Sequence, residues 1–289
     1  MSILIYFAIP IFVITMIVEF FYIRRKLANS AADVVGYENK DTTTSLVMGV
    51  GNVLQGIAFK PLVFIAHFWI YENFALFPEF LSSVHWYAWV FLFFADEHCY
   101  YWFHRVSHEQ RWAWAAHVNH HSSQHYNLST ALRQSWSTFF YHWVFYIPLP
   151  LLGFHPLMML TMAALSLLYQ YWIHTETIGK LGWFEKLFNT PSHHRVHHGS
   201  NEQYLDKNYG GFLIAYDKLY GTFEPEIERV KYGLVHNIQN FNPIKVGFHE
   251  WAALLGDMWR SGSVITAIKY WFKPPGWQPA ESQVNEKNT

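Results

Sequence analysis

Residues 3–23 read "ILIYFAIPIFVITMIVEFFYI", a run with a single charged residue, Glu19, and a single proline, Pro10. At ~1.5 Å per residue a helix of this length crosses the ~30 Å of bilayer hydrocarbon. The basic residues Arg24, Arg25 and Lys26 follow the run. A cleaved secretion signal carries its charges first, so the order predicts a retained anchor with its basic end in the cytoplasm. Further apolar stretches cover 45–72, 84–103 and 136–173. The last is interrupted by "PLPLLGFHP", where Pro148, Pro150, Gly153 and Pro156 suit a tight reversal. These runs predict an all-α, multi-pass membrane protein with four or five membrane helices: one anchor and two hairpins, the second dipping into the bilayer or crossing it.

Parity then places residues 24–43, 104–135 and 174–260 on one face, the cytoplasmic one, as a histidine-rich helical cap. The same segments hold most of the basic residues, as orientation by positive charge requires. The chain divides into an anchor and linker (1–44), a membrane catalytic domain (45–225), an amphipathic helical region (226–273) and a flexible tail (274–289). Within it, "FLIAYDKLYGTFE" reads as a short packed loop, and 251–272 as one or two helices lying on the membrane surface.

Composition agrees with a lipid environment. Charged residues are 14% of the 289-residue chain, against about a quarter in soluble domains. Net charge is −1 with histidine neutral, which gives no sign of a nucleic-acid surface. One cysteine, Cys99, excludes an intramolecular disulfide and a thiolate metal cluster. What stands out is 18 histidines, unevenly spread.

On a helix, residues three and four apart share a face. His104 and His108 form an i, i+4 pair; His117, His120 and His121 form an i, i+3, i+4 set; His194, His197 and His198 repeat it. Each group can point its rings one way. Neutral imidazole is a good ligand for first-row divalent metals. Eight nitrogens are too many for one ion and suit two, so the spacing predicts a dinuclear centre where the cytosol meets the bilayer. His174, alone at the end of the last apolar segment, is a ninth candidate. Iron suits oxygen chemistry, while zinc, copper and nickel also accept imidazole. His98, His125 and His193 point off these faces, and His67, His85, His142, His155, His236 and His249 read as structural. Glu109, directly after His108, is a candidate catalytic residue with three possible roles: a bridging ligand, an acceptor that fixes a ring tautomer, or a solvated charge. Arg105, Arg133 and Arg195 sit among the clusters and can hold a lipid headgroup or form local salt bridges. Asn208 and Tyr209 are candidates to brace the ligand helices.

The ordered series HxxxH, HxxHH, HxxHH over about 95–225 resembles the fatty acid hydroxylase/sterol desaturase superfamily. Within it, "YYWFHRVSHE", "HHSSQHYNLSTALRQS", "WIHTE", "FNTPSHHRVHHG" and "DKNYGGFLIAYDKLYGTF" are similar to the ether-lipid-cleaving branch, the alkylglycerol monooxygenases. The resemblance implies an integral membrane enzyme, in the bacterial inner membrane or the endoplasmic reticulum, with its site facing the cytoplasm. It implies two iron ions, O₂ and a membrane lipid substrate, with tetrahydrobiopterin as electron donor. No GxGxxG loop is present in the sequence, so electrons are expected from a separate donor. Glu97, His125 and Tyr216 depart from the pattern; none is a core histidine. The alternatives are a fatty acid or sterol hydroxylase or desaturase on the same scaffold, and a non-catalytic histidine-rich metal-binding protein or transporter.

Overall fold

A computed structural model describes residues 3–28 and 34–279, with ten α-helices and no β-strand among them. The helices are α1 (Ile3–Ala28), α2 (Asn39–Phe74), α3 (Trp86–Glu109), α4 (Arg111–His121), α5 (Pro148–Leu152), α6 (Pro156–Trp172), α7 (Pro191–His197), α8 (Ala215–Tyr220), α9 (Pro243–Arg260) and α10 (Val264–Phe272). Among the described residues one helix, α2, is long and apolar enough to cross a membrane, and little of its apolar stretch is buried inside the protein. The outward side chains of α1, among them Ile11, Ile14, Val18 and Phe21, are exposed as well. Large apolar side chains facing outward along whole helices have no partner within the chain.

The sequence predicts a helical hairpin over 136–173. The structure forms only its second leg, α6, as a long helix. The first leg descends as two 3₁₀ turns, Thr138–Phe140 and His142–Tyr146, and then α5. At ~2 Å rise per residue, 3₁₀ geometry covers more distance than an α-helix of equal length. Its backbone groups then lack the regular i to i+4 ladder, and α2 supplies partners. Asn52 Nδ2 donates to Ser135 O at 2.9 Å, Gln55 Nε2 to Trp136 O, and His67 Nε2 lies 3.0 Å from Trp143 O. Backbone carbonyls outside a regular ladder need such partners when they are shielded from water. That explains the polar side chains of an otherwise apolar α2.

The two reversals meet at one end of the bundle. Leu76 N and Phe77 N donate to Leu151 O and Leu152 O. Gly153 has φ +121°, and a Cβ there would lie 2.6 Å from the Phe77 carbonyl carbon, so the close approach needs glycine. At the opposite end, the C-terminal ends of α1, α3 and α6 and the N-terminal end of α2 converge on residues 121–133. Asp41 of α2 and Arg133 are 3% and 1% exposed and pair at 2.7 Å, with Ser123 Oγ on the second carboxylate oxygen. All the histidine motifs lie at this end.

The C-terminal region forms two helices, and α9 starts at Pro243, earlier than the sequence suggests. Asn242 accepts from Ile244 N and Lys245 N, so an Asn-Pro start signal lies within the polar "IQNFNPIK". Arg111 ties α4 to α9 through Glu250 at 2.8 Å and Asp257 at 2.7 Å. Ala115, Leu254 and Tyr270 make a small shared core of α4, α9 and α10. The outer faces stay apolar, with Trp259 89% exposed and Val264 and Ile265 also uncovered. Past α10, Trp277 packs edge-on against Tyr270, whose hydroxyl donates to Gln278 at 2.8 Å. The rest of the expected tail, 280–289, lies outside the described residues.

Candidate metal centre

All nine histidines named from the sequence come together, in two groups. His104, His108, His117, His121 and His197 place one ring nitrogen each within 4.8 Å of one another, and His120, His174, His194 and His198 do the same. The grouping cuts across the motifs, contrary to the expectation that each motif points its rings one way. In α4, His117 and His121 are four residues apart and share a face, while His120 turns to the other group. In α7 and its cap the sense is reversed: His194 and His198 pair, and His197 crosses over. Each HxxHH motif therefore gives two rings to one group and one to the other. The α3 pair adds two to the first and His174 one to the second, which makes five and four. The groups adjoin, with the His121 and His198 rings stacked at 4.4 Å.

Backbone carbonyls aim three of the nine rings. His104 Nδ1 lies 2.7 Å from Tyr209 O, His174 Nδ1 2.6 Å from Gln170 O, and His197 Nδ1 3.0 Å from Lys207 O. A carbonyl only accepts, so these Nδ1 atoms carry hydrogen and the neutral rings present an Nε2 lone pair inward. The inward nitrogens crowd together. His117 Nε2 is 3.1 Å from both His104 Nε2 and His121 Nε2. His174 Nε2 is 3.2 Å from His120 Nε2 and 2.9 Å from His194 Nε2. One in-plane lone pair or one N–H cannot serve two such neighbours. His108 Nε2, His197 Nε2 and His198 Nε2 are buried with no partner at all. Two nitrogens sharing an ion at ~2.0–2.1 Å, with angles of 90–110°, lie ~2.8–3.4 Å apart. The donor sets thus fit a divalent cation each, and hydrogen bonding alone leaves them unsatisfied.

Electrostatics keeps the rings in ligand form. Burial pushes the pKa values of His117, His120, His121, His194, His197 and His198 well below the ordinary imidazole value, and neighbouring rings add to the shift. His174 is pushed down to about 4, burial again leading. Neutral imidazole is the metal-binding form.

The loop that carries two of the aiming carbonyls is held by two buried carboxylates. Asp217, fully buried, accepts from Tyr209 N at 2.7 Å, Gly210 N at 2.8 Å and Thr222 Oγ1 at 2.7 Å. Glu97 accepts from Phe212 N and Leu213 N at 2.7 and 3.0 Å. Asn208 does brace the site: its Nδ2 donates to His193 O and Glu224 O. The Tyr209 hydroxyl is buried without a partner, its ring 5.3 Å from that of His108. The signal for Glu97 was visible: a carboxylate within an apolar run must be partnered or it does not stay there.

Glu109 lies outside both donor groups. Its side chain is 39% exposed and accepts from Arg105 Nε at 2.8 Å. The carboxylate that faces His108 is Asp206, 3.7 Å from Nδ1. The three arginines are engaged within the chain: Arg105 by Glu109 and Tyr101, Arg133 by Asp41 through Nη1, and Arg195 by both oxygens of Glu226 and by Thr175 O and Ile178 O. His193 faces Phe223 and His98 packs between Tyr216 and Tyr220, off the site as expected.

Residues 89–222 match the fatty acid hydroxylase family. The chain is 44% identical over 244 residues to a Homo sapiens alkylglycerol monooxygenase, aligning 84% of itself with 54% of that protein. A Xenopus tropicalis alkylglycerol monooxygenase is 41% identical with the same coverage. The Rhizobium tropici ornithine lipid hydroxylase OlsE is 29% identical over 62% of the chain and 50% of its own length. The chain spans about half the length of the curated relatives it matches. No solved structure matches it. Every histidine of the two donor groups lies inside the matched segment, so both sets belong to the fatty acid hydroxylase domain of the chain.

Proposed function

We propose that this chain is the catalytic part of a membrane-bound, O₂-dependent monooxygenase that oxidises a C–H bond of a lipid, with an alkylglycerol ether as substrate. The observation that carries the proposal is the pair of buried all-imidazole donor sets in a chain more than 40% identical to alkylglycerol monooxygenases. His104, His108, His117, His121 and His197 would hold one iron, and His120, His174, His194 and His198 the other. Bound iron supplies O₂ activation and removal of a hydrogen atom from the substrate carbon.

The protein's own contribution is positional. Buried neutral rings, aimed from behind by Tyr209 O, Lys207 O and Gln170 O, form a rigid and water-poor site. For an ether, hydroxylation consumes O₂, two electrons and two protons and releases water. The carbon next to the ether oxygen becomes a hemiacetal, which falls to a fatty aldehyde and glycerol. The electrons come from a separate reductant, for which the family resemblance favours tetrahydrobiopterin.

The chain would sit in the bilayer through α1, α2, α3, α6 and the irregular segment 136–152. The histidine end then faces the cytoplasm, beside Arg24, Arg25, Lys26 and Lys40. The exposed apolar faces of α9 and α10 would rest in the interface. Glu109 belongs at the solvent rim of the first donor set. Glu109→Gln is therefore expected to leave two ions per chain, measured by elemental analysis; loss of an ion would return this carboxylate to the ligand set.

The function is tested by supplying detergent-purified, iron-loaded protein with O₂, a reduced pterin and alkylglycerol. Fatty aldehyde is the expected product. Oxidation of a fatty acyl chain or a sterol with no aldehyde from the ether would favour the sister activity, and no O₂ uptake with any lipid would leave a metal carrier.

A further inference from the structure

Glu19 lies in the C-terminal half of the anchor helix, inside its apolar run, where an unpaired carboxylate is costly. It is 5% exposed and fully engaged, but not with lipid-facing groups. One oxygen accepts from the Thr175 hydroxyl. The other accepts from the Tyr37 hydroxyl and, at 2.8 Å, from Leu128 N. These donors come from three separate parts of the chain. Leu128 starts the turn that follows the α4 histidines, Tyr37 lies in the linker after α1, and Thr175 follows His174 directly.

His174 differs from the other eight histidines. They lie on α3, α4 or α7 or cap α7, so helix geometry sets their directions. His174 lies past the end of α6, its N–H donating to Tyr171 O at 3.3 Å. Its ring is aimed by Gln170 O. Thr175, the next residue, is held at its hydroxyl by Glu19, Thr177 Oγ1 and Thr177 N, and at its carbonyl by Arg195 Nη1. Val35 N also donates to Glu176 at 2.8 Å, so the linker and the anchor grip the same tripeptide. Further along α1, Thr15 Oγ1 meets the Tyr171 hydroxyl at 2.8 Å and Phe12 stacks on the Tyr171 ring at 3.8 Å, which seats α1 against α6.

We propose that Glu19 is a positioning residue for the four-histidine donor set: through Thr175 it holds His174 in register with His120, His194 and His198. The anchor helix is then part of the metal centre's support as well as a membrane tether. The inference rests on the metal reading above and adds to it an asymmetry, since the five-histidine set has no such dependence on α1.

The test is equilibrium Co(II) binding to the purified full chain in detergent, following metal per chain and the visible spectrum. Wild type is expected to take up two ions. Glu19→Ala is expected to hold the first with unchanged affinity and the second ~10–100-fold more weakly, the range for loss of an outer partner of a ligand. Glu19→Gln can keep its oxygen for Leu128 N and Tyr37 and donate an amide N–H to Thr175 Oγ1, so it is expected to recover most of that loss. Two ions with wild-type affinities in Glu19→Ala would overturn the proposal. If Glu19→Ala does not fold, Thr175→Val decides: it leaves Glu19 with its other two donors, and weakening of one ion alone supports the role while two unchanged ions refute it. Fewer than two ions on wild type would refute the metal reading itself, and this inference with it.

Discussion

His120→Ala and His197→Ala are each expected to abolish turnover while emptying different donor sets. His120 belongs to the four-nitrogen group and His197 to the five-nitrogen group, so each variant should lose one ion and retain the other. A metal contributes several kcal/mol of barrier lowering, so losing one should cut turnover by ~10³-fold or more. His67→Ala removes the partner of Trp143 O in the irregular segment; it should lower thermal stability yet keep both ions. Elemental analysis with an O₂-uptake assay separates these outcomes. Equal metal content in all three variants would remove the ligand assignment.

The second large effect is acid sensitivity of the metal-free protein. In the folded chain the ligand rings titrate below the ordinary imidazole value of about 6.5, and His174 at about 4. Between those limits the unfolded chain binds more protons than the folded one, so stability rises with pH and is lost as pH falls from about 6.5 towards 4. His174 alone, shifted by roughly 2.5 units, accounts for on the order of 3 kcal/mol. Several rings titrate in the same window, so the metal-free protein should fail to hold its fold near pH 5 while remaining folded at pH 7.5. Loaded protein should survive to lower pH, because ions that bind only the native state oppose protonation of the same nitrogens. Thermal unfolding of both forms at the two pH values tests this. Equal stability of the metal-free protein at pH 5 and 7.5 would contradict it.

Much of the site was legible in the chain. The i, i+3 and i, i+4 spacings picked out eight ligand candidates, and position at the end of an apolar run added His174. The apolar stretches anticipated α1, α2, α3 and α6. The turn residues around Gly153 located a reversal that packs against residues 76 and 77. Three things did not follow. The leg 138–152 is as apolar as a membrane helix, and composition cannot separate α from 3₁₀ geometry when a neighbouring helix supplies the missing hydrogen bonds. Glu19 passed as a tolerated charge, because its three donors lie 18 to 156 residues away. Glu109 stood beside the ligand candidate His108 in sequence, yet adjacent residues on a helix point about 100° apart, and its carboxylate turned to Arg105.

By itself the sequence determined which rings are available and how they are directed along each helix, because a 3.6-residue period fixes those directions without reference to anything else. Only the tertiary structure decided how the nine rings divide into five and four, since that depends on the packing of α3, α4 and α7 against one another. It also decided which nitrogen of a ring faces inward. For His174, His197 and His104 the backbone carbonyls of Gln170, Lys207 and Tyr209 set that choice, and a carbonyl leaves no trace in residue type.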